Sequence, residues 1–188
     1  MSEAIAPPET RTKEAEQLAD RYLALWNEPD PERRRRMIAE LWTEDGSQIL
    51  QPPQEMREIA ASPGIGMAAT LEARGHAELE ARAATSYEHW VGSEGLSFRG
   101  RDDAERLGDV VKFHWEAVAK DGELFAVGLN FLVLAADGRI ERDYTFVVAW
   151  GWALLCSQSR KGVSASEAGS GRTDEFSVVC RSPLRVGP

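Results

Sequence analysis

Between residues 10 and 27, apolar side chains recur at Ala15, Leu18, Ala19, Tyr22, Leu23, Leu25 and Trp26. That spacing of three and four predicts an amphipathic helix. "NEPDP" ends it, and Asp30 with Pro31 reads as the N-cap and first position of a second helix. This helix carries Met37, Ile38, Leu41 and Trp42 inward and is expected to end near "TEDG". Its four arginines, Arg33 to Arg36, read as a solvated face with long aliphatic stems. "SQILQPP" (47–53) is a short strand closed by prolines. A third helix starts near Gly75 and runs to about Val91, with Leu79, Ala83, Tyr87 and Trp90 on one face.

From Leu96 the period changes to two. "LSFRGR" is a short strand. In "RLGDVVKFHWEAVA", Asp109, Val111, Phe113 and Trp115 share one face, and Val110, Lys112, His114 and Glu116 the other. "LFAVGLNFLVLAA" is apolar enough to be buried on both faces. "DGR" is a hairpin turn, and "IERDYTFVV" returns. Three helices followed by an antiparallel meander of three or four strands predict an α+β domain, its helices packed on one side of the sheet.

The pattern fails in two places. The segment 54–74 has a Pro-Gly break and little periodicity, as a lid or binding loop does. From Ala149 onward the chain turns Ser/Gly-rich, which reads as a flexible tail. The expected organisation is a disordered lead over 1–9, one domain over 10–148, and the tail over 149–188.

Charge narrows the partners. A formal net charge of −9 over 188 residues argues against nucleic acid and against an anionic membrane surface. Both cysteines, Cys156 and Cys180, fall in the tail, so no disulfide framework or thiolate metal site is expected. The N-terminus shows no signal peptide, and the longest apolar run, 146–156, is too short to span a bilayer. A cytoplasmic location is expected. Among His76, His89 and His114, no two stand at ligand spacing with a carboxylate, so no metal is expected. No phosphate-cradling glycine loop is present, so neither nucleotide nor organic cofactor is expected.

"RYLALWNEPDPERRRRMIAELWTEDG", "GHAELEARAATSYEHW" and "VGLNFLVLAADGRIERDYTF" together resemble the nuclear-transport-factor-two-like superfamily, closest to its SnoaL-like and ketosteroid-isomerase-like branch. The resemblance covers roughly residues 12–147. It implies a cone: a strongly curved antiparallel sheet wrapped around three N-terminal helices, enclosing an apolar pocket. It also implies a homodimer, and a small apolar molecule as ligand. Isomerases, cyclases, dehydratases and proteins without known activity share this fold, so fold alone leaves the reaction open.

By the same resemblance, Tyr22 falls on an oxyanion-donating tyrosine, and Asn130 on a protonated aspartate that completes the pair. Asn130 departs from that aspartate, but an amide also donates a hydrogen bond. The alternative is that Asn130 simply bonds Tyr22 or a buried water. Gly128 and Ala126 share its face and leave room for a ligand. The family's catalytic aspartate falls on Gln51, and an amide cannot abstract a proton near neutral pH. Asp143 and Asp109 are the candidate acids or bases. An arginine partner at the sheet edge is the plainer role for Asp143. Trp26, Phe113 and Trp115 are expected to line the pocket with Gln51 and Asp109.

Two readings follow. One is an isomerase-, cyclase- or dehydratase-type enzyme that binds a polyketide- or steroid-like carbonyl compound through Tyr22 and Asn130. The other is a non-catalytic ligand-binding or dimerisation module with a degenerate site.

Overall fold

The structure, a computed structural model, describes residues 8–52 and 70–150. Residues 1–7 of the expected 1–9 lead, most of the predicted lid, both cysteines and the tail beyond Trp150 lie outside the described residues, while Pro8 and Glu9 of that lead already belong to α1. Helix α1 (Pro8–Asn27) is followed by α2 (Pro31–Leu41). All seven apolar positions that define the α1 stripe are buried. Asp30 caps α2 as its sequence predicts, its side chain accepting from the Arg33 amide at 2.8 Å.

The arginine run is not uniformly solvated. Arg34 shares a helix face with Ile38 and Leu41 and is only 4% exposed. Its Nη1 donates to the carbonyls of Glu28 and Pro29, and its guanidinium lies 5.2 Å from the Tyr87 ring centroid. Arg34 therefore fastens the α1–α2 turn, while Arg33, Arg35 and Arg36 stay exposed.

Strand β1 (Trp42–Gln51) begins directly after α2, earlier than the prolines suggest. Then come β2 (Leu71–Arg74) and α3 (Gly75–Ser86), which widens into a π-helical stretch over Tyr87–Ser93. β3 (Ser97–Gly100), β4 (Glu105–Leu107), β5 (Val110–Val118), β6 (Leu124–Leu134) and β7 (Ile140–Trp150) complete the described chain. Gly138, at φ +83°, makes the β6–β7 turn, where a side chain would strain the backbone.

The sheet runs β2-β1-β7-β6-β5-β3, with β4 paired on β5. It is curved and unclosed. It is also mixed, where the sequence suggested a purely antiparallel meander. β1 runs parallel to β7, and the remaining pairings are antiparallel. The parallel contact arises because β7, the last strand of the meander, pairs beside β1, with β2, α3 and β3–β6 between them in the chain. Register shifts interrupt β5–β6 and β6–β7, and such bulges bend a sheet. The core lies between the concave face and α1, α2 and α3, around Leu25, Ile38, Trp42, Leu79, Phe113 and Leu132. Among the described residues no helix is long and apolar enough to cross a membrane.

Candidate functional site

The concave face and α3 enclose a cavity of about 620 Å³. Its walls are chiefly apolar: Leu23, Trp26, Trp90, Phe98, Trp115 and Phe125. Polar groups reach it from Tyr22 on α1, Gln48 on β1, Glu72 on β2, Arg82, Thr85 and Ser86 on α3, His89 on the π-helical stretch and Thr145 on β7. An apolar shell with a few placed polar groups is the usual make-up of a small-molecule site.

Strand register explains how the polar floor assembles. Gln48 stands opposite Asp143 across β1–β7, and Asn130 opposite Thr145 across β6–β7. All four side chains are buried. Asp143 Oδ2 accepts from the Tyr22 hydroxyl at 2.6 Å and from Gln48 Nε2 at 2.8 Å. Oδ1 accepts from Asn130 Nδ2 at 2.7 Å and from Thr145 Oγ1 at 3.1 Å. The Tyr22 oxygen in turn accepts from Gln48 Nε2 at 2.9 Å and Asn130 Nδ2 at 2.8 Å. Trp115 Nε1 closes the back of the network, donating to Asn130 Oδ1 at 2.8 Å.

Among the described residues this buried carboxyl is held by four donors and bonded to no cation. Burial pushes its pKa up, the bonds from Tyr22, Gln48, Thr145 and Asn130 pull it down, and the balance stands at about 6. The Tyr22 hydroxyl is pushed well above its ordinary range, first by burial and then by the Asp143 charge. Near neutral pH the shared proton therefore rests on Tyr22. Below about pH 6 the carboxyl gains its own proton and becomes a donor. Tyr22 is then free to turn its hydrogen into the cavity.

Tyr22, Trp26 and Trp115 line the cavity. Asn130 does not: its amide hydrogens point to Tyr22, Asp143 and Thr145. It orients Tyr22 and Asp143, and the bond to Tyr22 is one of its two anticipated roles. Asp143 also sits behind the lining, and it takes no arginine partner at a sheet edge. Phe113 is buried against Tyr22, ring centroids 5.4 Å apart, outside the cavity wall. Asp109 is exposed at the β4–β5 turn, where its carbonyl accepts from the Leu134 amide. The alternation that suggested an inward Asp109 ends at that turn, one residue before β5. Gln51 is half-buried and falls on the face of β1 opposite Gln48 and Leu50. The room expected beside Gly128 is taken by the Trp115 indole, which lies where a Cβ at 128 would stand.

Sequence reasoning missed Gln48 and Arg82. Arg82 carries a readable signal, a cation inside the inward stripe Leu79–Ala83–Ser86. Gln48 carries a weaker one, two residues before Leu50 on an alternating strand. His114 pairs with Asp103 at 2.6 Å, and His76 Nε2 lies 3.2 Å from the Trp42 carbonyl. Among the described residues no cluster of three or more His, Cys, Asp or Glu gathers as a metal site.

No protein-family model matches the sequence, and no curated protein matches it. Solved structures do. A candidate isomerase of the SnoaL-like family from Agrobacterium tumefaciens is 23% identical, with 73% of this chain and 99% of that one covered at a TM-score of 0.58. A SnoaL-like protein of unknown function from Burkholderia thailandensis is 16% identical, covering 72% and 95% at 0.49. A candidate polyketide cyclase from Bacillus cereus is 15% identical, covering 70% and 72% at 0.47. The Agrobacterium likeness, joined to the helix order and the curved mixed sheet, establishes the architecture: this chain has the SnoaL-like, nuclear-transport-factor-two-like fold.

Proposed function

We propose that the cavity binds a small apolar carbonyl or hydroxyl compound and that Asp143, through Tyr22, exchanges a proton with the ligand's oxygen. The observation that carries this is a proton-sharing Tyr22–Asp143 pair at the polar floor of an apolar cavity. Tyr22 gives its proton to the ligand oxygen and takes one from Asp143, leaving the carboxylate. The reverse path restores the start. A pKa near 6 suits a group that must both give and take a proton near neutral pH. Asn130 and Gln48 hold the pair in line. The chemistry is of the isomerase, cyclase or dehydratase type; a SnoaL-like structure of this fold is named as an isomerase.

One observation favours the non-catalytic module instead. With Asp143 ionised, every hydrogen of Tyr22 and Asn130 is spent within the protein.

A titration with apolar phenols of falling pKa, followed by tryptophan emission, tests the site. Affinity is expected to rise as phenol pKa falls, and Tyr22→Phe is expected to flatten that trend. Indifference to both would place Tyr22 outside ligand binding. Solvent deuterium exchange into a bound cyclic ketone then separates the readings. Exchange that disappears in Asp143→Asn supports the enzyme, and tight binding with no exchange supports the module.

A further inference from the structure

Helix α3 brings one cation to the cavity wall, Arg82. It is half-buried, and among the described residues it makes no hydrogen bond and no ion pair shorter than 4 Å. Its neighbours along the chain behave otherwise. Arg74 meets Glu72, Arg99 and Arg101 meet Glu116, and even buried Arg34 finds two carbonyls. Burial pushes the Arg82 pKa down, and only the more distant Tyr22 and Asp143 favour its charge. A guanidinium drawn out of water without an acceptor is costly, and side chains that long can usually reach solvent instead.

Two other polar atoms on the same wall also lack partners among the described residues. Both are buried with almost no accessible surface, Trp26 Nε1 as a donor and Gln48 Oε1 as an acceptor, so neither is open to a ligand in the cavity. Among the described residues, Arg82 is thus the unpaired cation that the cavity offers on a largely apolar surface. Glu72, the acid on this wall, is already engaged by Arg74. The chain as a whole is acidic, so its overall field repels anions. An anionic ligand would need a dedicated cation inside the site, and Arg82 is one.

We infer that the ligand is an apolar monocarboxylic acid, with Arg82 as the counter-charge to its carboxylate. Arg82 is then the specificity residue that separates acids from their neutral analogues, whereas Tyr22 and Asp143 act on the oxygen at the floor. This rests on the cavity being the ligand site proposed above.

Isothermal calorimetry on the full chain tests it with matched probes: 6-hydroxy-2-naphthoate, 6-hydroxy-2-naphthamide and 2-naphthoate. The hydroxy acid is expected to bind at least about tenfold tighter than the amide, as one charge-assisted bond allows. Raising salt should narrow that gap. Arg82→Met should abolish the preference for the acid while sparing the amide, and Arg82→Lys should restore part of it. Thermal melts of both variants confirm that they fold. The acid–amide comparison in the unaltered protein needs no variant. Equal affinity for acid and amide overturns the Arg82 assignment and leaves the cavity reading standing. Binding of none of the three overturns both.

Discussion

Two carboxylates on neighbouring parts of one sheet behave in opposite ways. Asp143 sits on the inner face of β7, and Glu116 on the outer face of β5. Each is well supplied with donors. Glu116 takes Arg99 at 2.8 Å and Arg101 at 2.7 Å, both reaching in from solvent. Partial burial pushes its pKa up, but the two guanidinium bonds outweigh that and hold it below the ordinary range. Asp143 has four neutral donors, and burial wins. Here four neutral hydrogen bonds do not fully offset burial, whereas two full opposite charges more than offset it. The outer acid is a structural clasp, and the inner one is poised to change its charge near neutral pH.

The sharpest test removes the inner charge. Asp143's folded pKa of about 6 lies above its unfolded value of 3.8, so the folded state binds the proton more tightly between the two. Stability is then greatest at the acid end of that window and falls as pH rises through it, by about 3 kcal/mol. Asp143→Asn should flatten the stability curve over pH 4–6 relative to the parent, measured by urea unfolding at several pH values. Parallel curves would mean that Asp143 titrates normally. Next in size is Asn130→Ala, which strips one donor from Asp143 and leaves Trp115 Nε1 unpaired. It should cost about 2 kcal/mol at pH 7.5 and less at pH 5, where the neutral carboxyl needs fewer donors. An equal cost at both pH values would break the link between Asn130 and the charge of Asp143. Glu116→Gln should matter least, by less than about 1 kcal/mol and less still in high salt. A larger, salt-insensitive loss would erase the contrast between the two faces.

Much of the fold is legible in the sequence because burial repeats. The α1 stripe, the Asp30–Pro31 start of α2 and the Gly138 turn are each set by residues within a few positions of one another. The parallel β1–β7 contact is not, because nothing local records which strand a crossover will meet. The site divides in the same way. Tyr22, Asn130 and Asp143 stand out as polar positions in apolar patterns, and the structure joins all three. Their partners do not stand out. Gln48 reaches Asp143 only through the β1–β7 register, and a one-residue shift would replace it with Ile49. Gln51 and Asp109 failed for a related reason, since alternation gives a residue's face only while the strand and its register persist. Arg34 shows the converse: a run of like charges reads as surface, and one member turns inward because a helix face must be filled every third or fourth residue.

Gly128 on β6 and Trp115 on β5 stand opposite each other, with the indole lying over bare backbone. Neither position can drift alone. A side chain at 128 would evict the indole, and a smaller residue at 115 would leave a gap and loosen Asn130. The two therefore form a single unit of inheritance. A distant relative that keeps the pair should also keep the hydrogen-bond chain to Asp143, even where the rest of the sequence has become unrecognisable.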